Sequence, residues 1–369
     1  MKRNSDESVG FSLKPYVPKR LRQKPIEQPA PIVPSTSQTS SINNQASSSK
    51  LERTVHSQLP SQISFKRKAH SKVVSAVQWN HVNNQILVSA SYDRSLILWD
   101  CSTKNVKLSR QIVVHEGAVK DVIWNHDGTS LLTASFDQTS KLIDVEKGTA
   151  RASYKCDDLL TSIILHKNDH NVFLTGTMKS GIFAWDIRQA EPIKRYKSLF
   201  GQVQDLLFLP GGKVFLSSAE VIRKNSMDKA IMAWDFDSTA VVSNQIYQEP
   251  YTCTKLKLHT NQKHFYAQSA AGYIVIFDVA PPWKMNKYKR FEGHRSSGYH
   301  IGFDVSTNGS LIYSGDIDGN VYIYNNFSTR LIKKQTVFTG SPCIDIACLI
   351  GHKSKFACCS WDGEVAILE

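Results

Sequence analysis

The sequence lacks the features that mark membrane-spanning, secreted and helical proteins. No run approaches the ~18 uninterrupted apolar residues that a membrane helix requires. The first ten residues, MKRNSDESVG, carry charges where a secretory signal would have an apolar segment. No stretch shows a convincing helical period of hydrophobic residues. We therefore expect an intracellular protein that has no membrane partner and an all-β body.

The cysteine pattern and the absence of catalytic motifs argue against further classes of function. The seven cysteines are odd in number and none belongs to a C-x-x-C pair, which is typical of small buried residues in a reducing compartment. The sequence contains no nucleophile elbow, no phosphate-binding loop and no paired-carboxylate signature. We therefore expect a protein that is not an enzyme and uses no cofactor and no small-molecule substrate.

The first 60 residues contain little that could form a core. Their only aromatic residues are Phe11 and Tyr16, and residues 27–50 consist mostly of Ser, Pro, Gln and Asn. Such a composition cannot offset the entropy cost of ordering, so we expect a disordered, basic, Ser/Pro-rich tail over residues 1–60. Residues 1–68 hold twelve Lys or Arg and four Asp or Glu, and therefore carry +8 of the net charge of +13.

One segment of this tail, KPYVPKRLRQK, concentrates positive charge. Its two prolines keep it extended, which suits binding in a groove. We interpret it as a nuclear-import signal, with the candidate residues Lys19, Arg20, Arg22 and Lys24. The alternative is a solvated run of charge. The import interpretation predicts a nuclear protein and leaves a cytoplasmic pool open.

The rest of the chain repeats. Seven segments align without gaps, from SASYDRSLILWD to SWDGEVAILE, and the residue at the tryptophan position recurs every 42 to 49 residues. An Asp lies six residues earlier in five of the seven segments. Each unit has short alternating runs and is too small to bury its own face, so the units must pack on one another. The tryptophan position is occupied by Trp99, Ile143, Trp185, Trp234, Phe277, Tyr324 and Leu368.

These segments resemble the WD40-repeat family over roughly residues 61–369. The resemblance implies a seven-bladed β-propeller with four strands in each blade. Because a WD40 unit begins with the outer strand of the preceding blade, the last blade lacks a strand. The alternation in QISFKRK suits that role, so we predict that residues 62–68 pair with residues 364–369 and close the ring. Residues 219–226 are interpreted as an insertion that lengthens a loop.

The family also implies a structural role for the polar residues of the repeat. In WD40 proteins the turn Asp, the opening His, a strand Ser or Thr and the Trp form a buried hydrogen-bond network. The first unit keeps it whole, with His70, Ser89 or Ser91, Asp93 and Trp99. We prefer this structural interpretation to a catalytic one, since buried polar groups must be paired.

Four further histidines fall 17 to 19 residues before their tryptophan positions: His81, His126, His166 and His259. They should therefore occupy equivalent turns of different blades. His166 and His170 lie four residues apart, but on a turn and not on a helix. This distribution argues against a tetrahedral site, so we expect no bound metal.

Residues 283–295, WKMNKYKRFEGHR, are a candidate for partner binding. They interleave three aromatic residues with five cations, and contain a single Glu. Such a segment could contact RNA or an acidic protein. The alternative, which we favour, is an outer strand whose lysines discourage edge pairing. The candidate residues are Lys284, Lys287, Lys289, Arg290 and Arg295.

A second candidate is WDIR, residues 185–188. It resembles the W-D-x-R box by which some propellers dock on the DNA-damage-binding adaptor of cullin-4 ubiquitin ligases. The residues that would dock are Trp185, Asp186 and Arg188. The box is common, because every WD unit supplies half of it.

The run FEGHRSSGYHIGFDVSTNGSLIYSGDIDG resembles the family of WD repeat-containing protein 25, which is similar to pre-mRNA-processing factor 17 of the spliceosome. The shared G-H-x-x-x-G-Y pattern is Gly293, His294, Gly298 and Tyr299. The resemblance implies a non-catalytic, monomeric scaffold that binds other proteins in a nuclear ribonucleoprotein complex for mRNA splicing. A cullin-4 substrate receptor and a direct RNA-binding propeller are the alternatives.

Overall fold

The computed structural model describes residues 59–60, 62–197, 201–221, 230–352 and 354–369. Within these residues it contains 28 β-strands, arranged as seven four-stranded sheets. The prediction of an all-β, seven-bladed propeller is confirmed. The described residues include no helix long and apolar enough to cross a membrane. The predictions for residues 1–58, and that of a lengthened loop as far as it concerns residues 222–226, fall outside the described part of the chain.

Six blades each consist of four consecutive antiparallel strands. Blades 1 to 3 contain β2 (Val74–Trp79), β3 (Ile86–Ser91), β4 (Ser95–Asp100), β5 (Lys107–Val113); β6 (Val119–Trp124), β7 (Ser130–Ser135), β8 (Thr139–Asp144), β9 (Thr149–Lys155); and β10 (Leu160–Leu165), β11 (Val172–Thr177), β12 (Ile182–Asp186), β13 (Lys194–Tyr196). Blades 4 to 6 contain β14 (Val203–Phe208), β15 (Val214–Ala219), β16 (Ile231–Asp235), β17 (Val241–Ser243); β18 (Cys253–Leu258), β19 (His264–Ser269), β20 (Tyr273–Asp278), β21 (Met285–Glu292); and β22 (Phe303–Val305), β23 (Leu311–Gly315), β24 (Asn320–Asn325), β25 (Leu331–Thr336).

Blade 7 joins the two ends of the described chain. It contains β26 (Cys343–Cys348), β27 (Phe356–Ser360), β28 (Glu364–Leu368) and, as its outer strand, β1 (Ile63–Lys68). β1 runs antiparallel to β28, with Ile63 opposite Leu368 and Lys68 opposite Glu364. The pairing of β1 with β28 supplies the seventh blade with its fourth strand.

The first strand of every blade lies at the centre of the ring. These strands contact one another in the cyclic order β2, β6, β10, β14, β18, β22, β26 and back to β2. The fourth strands form the rim, where one edge of each sheet has no strand beside it among the described residues. Because consecutive strands are antiparallel, the turns alternate between two faces. We call the face with the turns between second and third strands the upper face, and the opposite face the lower face.

The tryptophan position of the repeat contributes a core residue to each blade. All seven residues at this position lie in third strands and are fully buried. Trp99 of blade 1 packs in a cluster with Ile344 and Ile367 of blade 7, and Phe65 of β1 meets its ring edge-on at 5.4 Å between centroids. Burial of one large apolar side chain stabilises the fold by about 1.5–3 kcal/mol, so these positions hold neighbouring blades together.

Candidate interaction surfaces

The buried network predicted for the first unit is present in blade 1. His70 Nδ1 donates to Asp93 Oδ2 over 3.0 Å. Ser89, and not Ser91, is the strand residue: its hydroxyl donates to His70 Nε2 over 2.8 Å and accepts from Trp99 Nε1 over 3.0 Å. Burial alone would raise the pKa of Asp93, but hydrogen bonds from His70 and Ser95 hold it well below its usual range. The network therefore fixes an ionised Asp93 in the β3–β4 turn.

Blade 2 repeats this arrangement without its tryptophan. His115 donates to Asp137 over 2.8 Å and pairs with Thr133 over 2.7 Å, while Ile143 occupies the tryptophan position. Asp137 also accepts from the backbone N–H of Glu116 over 3.0 Å. In both blades the Asp thus ties the turn to the loop that enters the blade.

Blade 6 uses different partners for its histidine. His294 Nε2 accepts from Gln268 of blade 5 over 2.7 Å, and Nδ1 donates to the hydroxyl of Tyr324 over 2.8 Å. Burial lowers the pKa of His294 to about 4. Asp318, the turn Asp of this unit, instead forms an ion pair with Arg295. The buried histidine is therefore held as a neutral group.

The turns held by these networks display aromatic side chains on the upper face. Tyr92 and Phe136 immediately precede the turn Asp of blades 1 and 2, and their rings lie 5.6 Å apart. Trp361 takes the same place in blade 7, and Tyr299 meets it edge-on at 5.1 Å. Trp361 is 43% exposed and the other three are partly exposed. We call these four residues the aromatic arc.

A cavity of about 290 Å³ separates the two halves of the aromatic arc. Tyr92 and Trp361 face it from either side, and Lys68, Lys72 and Asp362 also line it. Backbone hydrogen bonds fix the main chain at both residues, from the N–H of Tyr92 to the carbonyl of Val73 and from the N–H of Trp361 to the carbonyl of Pro342. The arc is thus a rigid, partly apolar surface with two exposed lysines at its centre, which suits an apolar side chain of a partner protein flanked by acidic groups.

A second cavity, of about 560 Å³, occupies the centre of the ring and opens toward the lower face. Its carboxylates bind the next blade along the ring: Asp345 accepts from the N–H of Val77, Asp121 from Ile163, Asp205 from Leu256 and Asp304 from Cys348. Burial raises the pKa of Asp121, Asp205 and Asp345.

Two lysines of blade 5 face these carboxylates across the central cavity. Burial alone would lower the pKa of Lys255, but the surrounding carboxylates, Asp205 first, raise it. Lys257 forms an ion pair with Asp304 over 3.1 Å. The charged side chains of the cavity thus form hydrogen bonds and ion pairs between blades, and we assign the cavity a structural role.

The four turn histidines lie in equivalent lower-face turns and link neighbouring blades. His81 donates from Nε2 to the carbonyl of His126, and His126 to that of His166, over 3.0 and 2.9 Å. His166 and His259 likewise bind the carbonyls of Gly212 and Gly309. Among the described residues no three His, Cys, Asp or Glu side chains form a group suited to a metal ion.

The WDIR segment lies at the end of β12 and in the lower-face turn that follows. Trp185 is fully buried and donates to Thr175 over 2.8 Å. The guanidinium of Arg188 binds both carboxylate oxygens of Asp186, while the Arg188 side chain is 66% exposed. Only Arg188 is therefore available to a partner.

The basic segment 283–295 includes the outer strand of blade 5, which is the position that our favoured interpretation assigns to it. Trp283 and Phe291 are buried, Arg290 pairs with Glu249, and Arg295 pairs with Asp318. Lys289 donates to the carbonyl of Phe327. The remaining candidates, Lys284 and Lys287, are exposed.

Sequence reasoning did not identify the aromatic arc. The sequence did contain a signal for the arc, because three of its four members directly precede the turn Asp of their repeats. The nuclear-import candidates Lys19, Arg20, Arg22 and Lys24 lie outside the described residues.

Comparison with known proteins agrees with the fold. The WD40 pattern, described as "WD domain, G-beta repeat", matches residues 61–100, 106–144 and 285–325. WD repeat-containing protein 25 of Mus musculus is 34% identical over 96% of this chain and 69% of that protein. Pre-mRNA-processing factor 17 of Homo sapiens is 28% identical over 81% of this chain and 50% of that protein, and Denticleless protein homolog of Danio rerio is 24% identical over 78% and 50%.

The repeats and the seven blades define a WD40 β-propeller, a class of protein that presents surfaces to other proteins. Within that class, the chain belongs to the family of WD repeat-containing protein 25. It spans about half the length of the human pre-mRNA-processing factor 17 that it matches.

Proposed function

We propose that this protein is a non-catalytic scaffold that binds other proteins in a nuclear RNA-processing assembly related to splicing. The observation that carries the proposal is the aromatic arc on the upper face. The similarity to pre-mRNA-processing factor 17 supports the choice of assembly. The pI of about 9.3 favours acidic or phosphorylated partners, through an attraction that weakens as salt rises.

The arc has the properties of a binding hot spot. Trp and Tyr are enriched among the residues that dominate interface energies, and truncating one at the centre of an interface typically costs about 2 kcal/mol or more. The arc is also rigid, because the Asp93 and Asp137 networks hold two of its turns. A preformed surface loses little conformational entropy when it binds.

A photo-crosslinking residue placed at position 361 tests this assignment directly. It should capture RNA-processing proteins from nuclear extract. Benzoylphenylalanine in place of Val82, an exposed residue in the lower-face β2–β3 turn of blade 1, is the matched control and should not capture the same proteins. Identical products from both positions would refute the arc as the docking surface.

The nuclear part of the proposal rests on the charge of residues 14–24. A fusion of residues 10–28 to a fluorescent protein should accumulate in nuclei. The same fusion with Lys19, Arg20, Arg22 and Lys24 changed to Ser should not. An even distribution of the unchanged fusion would end the import assignment.

A cullin-4 substrate receptor is the second candidate function. The observation in its favour is the exposed guanidinium of Arg188 on the lower face, held in place by Asp186. If this function is correct, Arg188→Ala should abolish co-purification of the DNA-damage-binding adaptor, while Arg195→Ala on the neighbouring outer strand should not. Absence of the adaptor from the unmodified protein would remove this candidate.

A further inference from the structure

The rim of the propeller is strongly basic. Within the described residues, the seven outer strands carry fourteen Lys or Arg and a single carboxylate, Glu292. Residues 61–369 as a whole hold 36 basic and 28 acidic residues, so the acidic residues of the body lie elsewhere. They include the four carboxylates of the central cavity and the Asp residues of the turns. The charges are therefore separated, with cations at the rim.

Solubility and protection of open strand edges explain lysines on outer strands. They do not explain the conformation of β21. In the pairing of β20 with β21, Val275 lies opposite Arg290 and Phe277 opposite Met285. Residues 286–289 therefore bulge out of the strand opposite Ile276 alone. The side chain of Asn286 accepts from the backbone N–H of Tyr288 over 3.0 Å and shapes this bulge.

Tyr288 at the bulge is 98% exposed, and its ring has no aromatic or cationic partner among the described residues. Lys287 and Lys289 flank it in sequence, and Lys284 lies close before it. Within the described residues the side chains of Lys284 and Lys287 make no ion pair or hydrogen bond. A fully exposed ring beside two lysines without side-chain partners gives up apolar burial that the blade could have provided.

The neighbouring blade extends this patch. Lys289 Nζ donates to the carbonyl of Phe327 over 3.2 Å and so ties the bulge to the β24–β25 turn of blade 6. Phe327 is 63% exposed, and Arg330 beside it is exposed as well. Residues 325–336 contain no carboxylate. Two exposed rings and several free cations thus lie on one side of the rim, which we call the rim patch (Lys284, Lys287, Tyr288, Phe327, Arg330).

We propose that the rim patch binds single-stranded RNA, with bases stacked on Tyr288 and Phe327 and phosphates bound by Lys284, Lys287 and Arg330. Proteins bind single strands through this combination of cations that follow the backbone and rings that stack on bases. No residue of the rim patch lines either of the two cavities described above, and bases can stack on exposed rings without a pocket, which favours RNA over an acidic protein segment. This contact is separate from the aromatic arc and does not depend on the proposed scaffold role.

Fluorescence anisotropy with the full chain and a labelled 20-nucleotide oligouridylate tests the proposal. Tyr288→Ala should weaken binding about tenfold, since stacking contributes ~1–3 kcal/mol per base, whereas Tyr288→Phe should bind like the unmodified protein. Lys284→Ser/Lys287→Ser should reduce the slope of log affinity against log salt by about 1.4, because each phosphate contact on a single strand contributes ~0.7. The matched control, Lys107→Ser/Lys155→Ser, removes two exposed outer-strand lysines from blades 1 and 2, away from the rim patch, and should leave affinity and slope close to those of the unmodified protein.

Three outcomes would overturn the proposal. Equal loss of affinity in the control and test variants would show unspecific attraction to the whole rim or the tail. Unchanged binding by Tyr288→Ala would exclude stacking. Polyglutamate that displaces the RNA at equal charge concentration would show that the patch recognises an acidic protein chain instead.

Discussion

Asp345 of blade 7 accepts a hydrogen bond from the backbone N–H of Val77 of blade 1, over 3.2 Å. This bond spans the seam between the last blade and the first. Equivalent bonds from Asp121, Asp205 and Asp304 span three other seams. The buried carboxylates of the central cavity therefore act as links between blades.

Removal of the Asp345 side chain should destabilise the ring. Asp345→Ala leaves the N–H of Val77 buried without its partner, which costs about 1–3 kcal/mol. Asp345→Asn should cost less, because the amide oxygen can still accept. Urea unfolding of the two variants measures the difference. Equal stability of Asp345→Ala and the unmodified protein would show that the link contributes nothing.

The outer strand β1 gives a second prediction about closure. Deletion of residues 1–68 removes the partner of β28 and the ring of Phe65 from Trp99, so the melting temperature should fall sharply. Some four to six ladder hydrogen bonds at a net ~0.5–1.5 kcal/mol each are lost. Deletion of residues 1–58 keeps β1 and should melt close to the full chain. Equal melting of the two truncations would contradict the proposal that β1 closes the ring.

The hydrogen-bond network of blade 1 predicts that Ser89→Ala destabilises the protein more than Thr175→Val does. Ser89→Ala leaves two buried groups, His70 Nε2 and Trp99 Nε1, without the partner they share, and should destabilise by about 2–4 kcal/mol. Thr175→Val in blade 3 removes the hydroxyl partner of Trp185 and should cost about 1–2 kcal/mol. Chemical denaturation of both variants gives the comparison. A cost for Ser89→Ala no greater than that for Thr175→Val would contradict the shared role of Ser89.

His294 predicts a loss of stability in mild acid. Its pKa falls from 6.5 to about 4 on folding because it is buried, so between these values the unfolded chain binds more protons. The contribution of the neutral His294 to the free energy of unfolding is full above pH 6.5 and is lost as the pH falls toward 4. Its neighbours Gln268 and Tyr324 do not titrate in this range. Between pH 8 and pH 5 the free energy of unfolding should fall by about 2 kcal/mol more in the unmodified protein than in His294→Gln. Identical pH profiles would show that His294 is not held neutral.

The repeat made the fold predictable, because its spacing fixes which residues occupy the third strands. The resemblance to WD40 proteins, applied at the positions that the repeat aligns, implied one network of His70, Asp93 and Trp99. The strand order of WD40 units, together with the alternation of residues 62–68, suggested the outer strand there. These features depend on local sequence that recurs in each unit.

Other features depend on contacts between units. Asp121 and Asp345 are each unremarkable in sequence, and their shared role emerges only where neighbouring first strands meet. Tyr288 lay within a segment whose other aromatic residues proved to be buried, and only the unequal pairing of β20 and β21 exposes its ring. The sequence pattern identified the basic segment, but it could not distinguish the arginines that form ion pairs from the lysines that form none among the described residues.

The measurement that tests the scaffold assignment most directly is affinity purification from nuclear extract, with and without ribonuclease. Three forms are compared: the unmodified protein, Tyr92→Ala/Trp361→Ala on the aromatic arc, and Tyr288→Ala on the rim patch. These side chains are partly or fully exposed, so the variants should retain the fold, and matching melting curves verify this. We expect splicing or other RNA-processing proteins with the unmodified protein and Tyr288→Ala, resistant to ribonuclease, and their loss with Tyr92→Ala/Trp361→Ala. Recovery of cytoplasmic partners alone, complete loss on ribonuclease treatment, or full recovery with Tyr92→Ala/Trp361→Ala would contradict the account.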